Sequence, residues 1–192
     1  MSTKELLWDY AKAVIAALAA AFIFRATVVG AFEIPSGSMI PTLQIGDRLL
    51  VDKLTYRFRK PERFEIIVFE DPARADRDLI KRIIALPGET LEIRNRVVYI
   101  NGTPLADAMY AHHTDPLWDR IPMRDDYGPV TVPPGSYFMM GDNRENSADS
   151  RVWGFLERDR IIGHAFILYW SRNTDMAFPA EIRWDRFGKL LG

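Results

Sequence analysis

The hydrophobic positions fall into two regimes. From Ala13 to Phe32 there are 20 residues with a single charge, Arg25, and the stretch Ala13–Phe24 (AVIAALAAAFIF) has none. A spanning helix needs roughly 17–25 mainly apolar residues. Residues 13–31 are therefore expected to form one membrane anchor helix, with Arg25 snorkelling to one interface and Trp8 and Tyr10 in the aromatic belt at the other. Two other readings compete. A buried core helix is disfavoured because Ala, Ile and Phe lie all round it with no polar face. A cleaved leader would place Lys4 and Lys12 before the apolar stretch and Val29-Gly30-Ala31 at the cut, but Arg25 interrupts it.

After Phe32 the period changes to two. Runs rich in Val, Ile, Tyr and Phe recur at Arg48–Val51, Phe64–Phe69, Leu79–Leu86, Thr90–Ile93, Val97–Ile100, Tyr137–Met140 and Ile161–Trp170. Turn signals separate them, among them Gly46-Asp47, Pro87-Gly88, Asn101-Gly102 and Pro133-Pro134-Gly135. This spacing predicts a mainly β body over 32–192, with a hairpin around Arg94-Asn95-Arg96. Ala106–Tyr127 is polar and reads as a loop or a small excursion from the sheet. The tail Ile182–Leu191 mixes basic and aromatic residues and reads as a docked terminal segment or a membrane-surface contact.

Composition narrows the chemistry. The 192 residues carry 25 basic and 26 acidic side chains, which argues against general nucleic-acid binding. The absence of cysteine excludes disulfides, thiolate metal sites and a cysteine nucleophile. Only six of the basic residues are lysine: Lys4, Lys12, Lys53, Lys60, Lys81 and Lys189.

Ser38 is a candidate nucleophile, because Pro35 and Pro41 bracket it and Gly37 permits a bend. Ser-Gly-Ser is also ordinary loop composition. A serine needs a base. His112 and His113, beside Asp115, read as solvated, and His164 reads as a core histidine; no second cluster completes a metal site. Lys81 sits in the apolar run Asp78–Leu86 and by alternation shares a face with Leu79, Ile83 and Ala85. Burial there would lower its pKa toward neutrality, whereas the plainer reading is a strand-edge charge. Lys53 and Lys60 read as solvated. The polar loop Gly141–Gly154 offers an ion pair between Asp149 and Arg151, with Ser147 close by.

Taken in order, Ser36-Gly37-Ser38-Met39 with Pro41, then Lys81-Arg82 with Leu86-Pro87-Gly88-Glu89, then Gly141–Gly154 resemble the bacterial type I signal peptidases. The resemblance implies a single transmembrane helix followed by a coiled antiparallel β-sheet body of the signal peptidase and repressor-protease type. It implies residues 1–12 in the cytoplasm, the catalytic body outside the cytoplasmic (inner) membrane, and a small non-catalytic β lobe at about 89–136. The implied activity is a serine endopeptidase that removes signal peptides bearing small residues before the cut. In that picture Ser38 attacks, Lys81 is the base, and the Ser38 N–H with the Ser36 hydroxyl forms the oxyanion hole. Ser147 orients the amine, while Asp149 and Arg151 hold the site together. Phe32, Ile34, Met39, Leu43, Leu79 and Ile80 fall near the substrate pockets. No cofactor or metal is implied, and the partners are preproteins and the lipid bilayer, with the enzyme a monomer. Arg63-Phe64-Glu65 departs from the family's Arg-Gly-Asp and puts that turn in doubt; Leu79 replaces an aromatic residue found in some members. The rival readings are a self-cleaving Ser/Lys regulator, which would need a DNA-binding segment, and an inert membrane-tethered scaffold.

Overall fold

The computed structural model describes residues 3–74, 76–114, 124–173, 175–177 and 179–191, without the side chains of 3–6, 20, 21 and 23–26. Asp115 and the Arg25 side chain therefore lie outside the described residues. The chain opens with α1 (Thr3–Thr27), followed by β1 (Val29–Glu33), β2 (Asp47–Asp52), α2 (Thr55–Phe58), β3 (Ile66–Glu70) and β4 (Asp78–Ala85). Then come β5 (Thr90–Arg94), β6 (Val97–Ile100), β7 (Thr103–Pro104), β8 (Tyr127–Thr131) and β9 (Ser136–Met140). The short α3 (Ser150–Trp153) leads into β10 (Leu156–Glu157), β11 (Ile161–Ser171) and β12 (Lys189–Leu190).

The strands make two antiparallel sheets. The larger has the order β1-β2-β11-β3-β4-β9-β10 with β12 on β11, and the smaller runs β7-β6-β5-β8. Alternation along β3 explains the unbroken run Ile66-Ile67-Val68-Phe69. Ile66 and Val68 pack with Ile34, Met39, Leu43 and Leu49, while Ile67 and Phe69 pack with Ile83, Met139 and Leu156. Both faces of the strand are buried, so neither face can be polar. A third cluster, Ile84, Leu91, Ile93, Val98 and Phe138, joins the small sheet to the large one. The predicted hairpin forms, with Arg94 opposite Val97 and both loop residues at positive φ, Asn95 at 51° and Arg96 at 69°. This is the twist-matched two-residue turn.

The N-terminal segment differs from the expectation of a spanning helix over 13–31. α1 begins ahead of the apolar run and so carries the exposed Asp9–Lys12 pair at 3.0 Å in its early turns. It ends at Thr27; Val28 turns the chain into the strand that begins at the β-branched Val29, and Val29, Gly30 and Ala31 pair with Asp52, Val51 and Leu50. Among the described residues, no helix is long and apolar enough to cross a membrane. The residues suggested as a leader cleavage site are thus part of a sheet.

Candidate active site

The bend predicted around Ser38 is a 3-10 turn, Gly37–Met39, capped by Ser36 in extended conformation. Its apolar residue Met39 is fully buried and anchors the turn in the core, leaving Ser38 8% exposed. From the other side β4 brings Lys81, 3% exposed, so that its Nζ lies 2.8 Å from Ser38 Oγ. Lys81 faces Ile67 across the ladder, on the same face as Leu79 and Ile83. Ala85 was expected there too, but the register shift between Ile83 and Ala85 moves it into the cluster under the small sheet.

Burial pushes the Lys81 ammonium down from 10.5 to about 8, against the opposing pull of Asp149, Asp71 and Asp142. A neutral amine has two N–H donors and one lone pair. Lys81 Nζ also donates to the Ile80 carbonyl at 2.9 Å. With one hydrogen held there, the lone pair is free to take the Ser38 hydroxyl proton. Ser147, by contrast, makes no bond to the amine: its buried Oγ has no hydrogen-bond partner among the described residues. It lies instead against Gly141, where an added Cβ would come within 2.4 Å of both Ser147 Oγ and the Ser38 carbonyl. Only a glycine lets this loop approach the Ser38 backbone so closely.

The loop after β9 clamps the turn. Asn143 donates through its N–H to the Ser38 carbonyl at 3.1 Å and through Nδ2 to the Gly37 carbonyl at 3.1 Å. The expected ion pair is present: Asp149 accepts from Arg151 Nε and Nη2, both at 2.8 Å, and caps α3 by accepting from the Arg151 N–H. Arg151 also donates to the Arg144 carbonyl at 2.7 Å. A second pair lies deeper. Arg82, next to Lys81, makes a bidentate bond to Asp142 at 2.8 and 2.7 Å, and Asp142 also accepts from Thr42. Thr42, Arg82, Asp142 and Asn143 were not singled out from sequence. The sequence signal was a polar loop between apolar strands, which requires partners for its buried charges without naming them.

The remaining candidates divide. Ser36 is exposed beside Ser38 and makes no capping bond. Phe32 is half-buried, whereas Ile34, Met39 and Leu43 are 0–2% exposed, so they back the site rather than line an open pocket. Leu79 and Ile80, adjacent on β4, pack on opposite faces in different clusters. The three histidines lie apart from the dyad's bonds. His112 pairs through its backbone with Asn143, His113 bonds Glu145 at 2.6 Å, and His164 lies 6.1 Å from the Tyr56 ring. No metal-binding cluster occurs among the described residues. Two large surface cavities, of about 670 and 750 Å³, include neither Ser38 nor Lys81.

The departure at Arg63-Phe64-Glu65 keeps a turn by a different route. Phe64 adopts φ 72°. Its N–H donates to the Ile83 carbonyl at 2.9 Å, its carbonyl accepts from Arg82 at 2.6 Å, and its ring lies 5.0 Å from that of Tyr110.

Against known proteins, residues 7–170 match the family described as signal peptidase, peptidase S26. The "Probable signal peptidase I-1" of Synechocystis sp. is 40% identical, over 95% of this chain and 90% of the relative. "Probable signal peptidase I-2" of the same organism is 42% identical, over 88% of this chain and 76% of the relative. The "Signal peptidase I" of Bacillus amyloliquefaciens is 38% identical, over 81% of each.

Proposed function

Since the chain belongs to the signal peptidase, peptidase S26 family, we propose that it is a serine endopeptidase that removes signal peptides from preproteins, with Ser38 as nucleophile and Lys81 as base. The observation that carries this reading is the 2.8 Å approach of a buried lysine amine to a serine hydroxyl. As Ser38 Oγ attacks the scissile carbonyl carbon, its proton passes to the Lys81 lone pair. The oxyanion that forms would take hydrogen bonds from the Ser38 N–H and the exposed Ser36 hydroxyl, each such donor being worth roughly 2.7–4 kcal/mol. The Lys81 ammonium then delivers its proton to the leaving amine as the peptide bond breaks. Water, deprotonated by the same amine, hydrolyses the acyl-enzyme and restores Ser38.

The preprotein would lie extended along the free edge of β1, adding a strand to the large sheet. Ile34, Met39 and Leu43 fill the space behind the site, which favours small residues before the cut; Phe32, Leu79 and Ile80 complete the pocket walls in this reading. Asp149 and Arg151 hold the loop, and Ser147 would reach the amine once substrate closes the site. α1 would anchor the body to the extracytoplasmic face of a bacterial membrane as a single pass. Its Trp8, Tyr10, Ile15, Leu18 and Phe22 are each 64–73% exposed, apolar surface that lipid would cover. The small sheet would be a non-catalytic lobe, and the enzyme would act as a monomer without cofactor.

The test is direct. Purified full chain, Ser38→Ala and Lys81→Ala are incubated with a preprotein, and the new N-terminus is sequenced. Both variants are expected to fold and to leave the preprotein whole; normal cleavage by Lys81→Ala would overturn the dyad.

A further inference from the structure

At the foot of α1, away from the dyad, a cavity of about 670 Å³ opens between the helix end and the body. Its wall includes Thr27, the last residue of α1, with Lys53, Arg57, Arg158 and Asp159. Lys53 also interacts with Asp78, so the basic character of the hollow rests on Arg57 and Arg158 beside the single lining carboxylate Asp159, in a chain whose overall charge is −1. Arg158 is held in place by donating to the Tyr56 carbonyl at 3.0 Å, which ties β10's end to α2. Beside Arg57 on α2 stands Phe58, 84% exposed, the highest exposure of any large hydrophobic side chain among the described residues. Lys60 follows, also exposed.

These features belong together chemically. Guanidinium and ammonium groups around a hollow recognise a phosphate. An unpaired aromatic ring next to them has no use for water but suits the boundary between headgroups and acyl chains. The hollow sits where α1 leaves the body, the level at which headgroups would surround an anchored helix, and Phe58 follows its lining residue Arg57 on α2. The carbonyl end of α1 and Asp159 oppose an anion there, and Asp78 draws on Lys53; the two arginines, Arg57 and Arg158, supply the attraction. From this juxtaposition we propose that the cavity at the foot of α1 binds the phosphate of an anionic phospholipid headgroup, with Phe58 entering the lipid beside it. The role assigned to this site, seating the body on the bilayer, rests on the membrane-anchored reading above, but binding itself does not require it.

The experiment uses the full chain in an uncharged detergent, titrated calorimetrically with dihexanoyl phosphatidylglycerol below its own micelle-forming concentration. Saturable binding is expected, weakening by about tenfold or more in Arg57→Gln/Arg158→Gln, as loss of two basic contacts implies. Dihexanoyl phosphatidylcholine should bind at least about tenfold more weakly, and inorganic phosphate should compete only at much higher concentration. Both substituted side chains are exposed, so the double variant is expected to fold and to cleave a soluble peptide at the wild-type rate; Arg158→Glu alone gives the same binding readout if it does not. Equal binding of the two lipids, unchanged binding by the variants, or inorganic phosphate binding as tightly as the lipid would each overturn the proposal. Ser38→Ala should bind the lipid as wild type does. A chain that binds lipid yet leaves preproteins whole would sink the peptidase reading and leave this site standing.

Discussion

Lys81 is a lysine only 3% exposed, and the consequence of that burial can be read in two independent measurements. The amine must be neutral to accept a proton, and burial brings its pKa from 10.5 to about 8. The rate of cleavage, as kcat/KM, is therefore expected to rise about tenfold per pH unit below that value and to level above it. Lys81→Arg should be as inactive as Ser38→Ala across the range, because guanidinium does not deprotonate. A flat profile from pH 6 to 9 would remove Lys81 as the base. Stability carries the same signature. Below pH about 8 folded and unfolded chains both hold the proton, so the folded state bears the full cost of a buried charge. Between there and 10.5 the unfolded chain binds more protons, and stability rises with pH. A displacement of that size corresponds to roughly 3 kcal/mol. Lys81→Met keeps the volume and drops the charge, so it should be about 1–3 kcal/mol more stable than wild type in denaturant melts at pH 7, with the advantage shrinking by pH 10. A difference that stays constant with pH would show that the charge is not what is being removed.

At the scale of the elements, the turn into β3 holds a side chain where a glycine would be easier. Phe64 at φ 72° bears a steric cost of about 1–2 kcal/mol. Its contact with Tyr110, whose ring in turn lies 3.8 Å from the Arg82 guanidinium, offsets that cost. Phe64→Ala loses the contact and keeps the strain, whereas Phe64→Gly loses both. Gly is therefore expected to be more stable than Ala at this position by about 1 kcal/mol, the reverse of their usual order, in paired thermal or denaturant melts. Ala matching or exceeding Gly would refute the strain. Asp142 is the second test at this scale: Asp142→Asn leaves the Arg82 guanidinium, 1% exposed, without its counter-charge. That should cost about 3–5 kcal/mol in stability and slow cleavage, since Asp142 also holds Thr42 behind the nucleophile turn. The same elements explain what could be read from sequence. β3 was legible because its branched and aromatic residues run without interruption, and β4 and β11 because such residues flank short breaks at Lys81-Arg82 and Gly163-His164-Ala165. β1 was not, because Val29–Phe32 continues the apolar run of α1 and hides the place where helix becomes strand. Gly128-Pro129 masked β8, both residues being poor strand formers. Ser38 and Lys81 stood out by chemical type. The Ile80 carbonyl that orients the amine could not, since every residue has a carbonyl, nor could a pair such as Arg82 and Asp142, sixty positions apart.

At the scale of the whole molecule the body has its own core, to which the described side chains of α1 contribute none of the buried residues. The three buried clusters are built, among the described residues, from β strands, the Ser38 turn and the loops between them. The turn and β4, which bring Ser38 and Lys81 together, and the loop after β9 are fixed within the body by Met39, Ile83 and Met139, all at 0% exposure. Removing residues 1–27 should therefore leave β1 paired with β2 and the dyad intact. The shortened protein is expected to melt within a few degrees of the full chain, and its kcat/KM on a soluble peptide should change by less than about threefold, a barrier difference under 1 kcal/mol. Its disadvantage should emerge only when the preprotein is embedded in vesicles. There the full chain and its substrate share one surface, and tethering raises their effective concentration with no new contact between them. Embedded preprotein should be cut at least about tenfold more slowly by the shortened protein. If instead the truncation lost its near-ultraviolet circular dichroism or its activity on soluble peptide, α1 would be a structural part of the fold. If embedded and soluble substrates fell together by the same factor, the anchoring role would be wrong while the dyad remained, because Ser38 and Lys81 meet through contacts that lie wholly within the body.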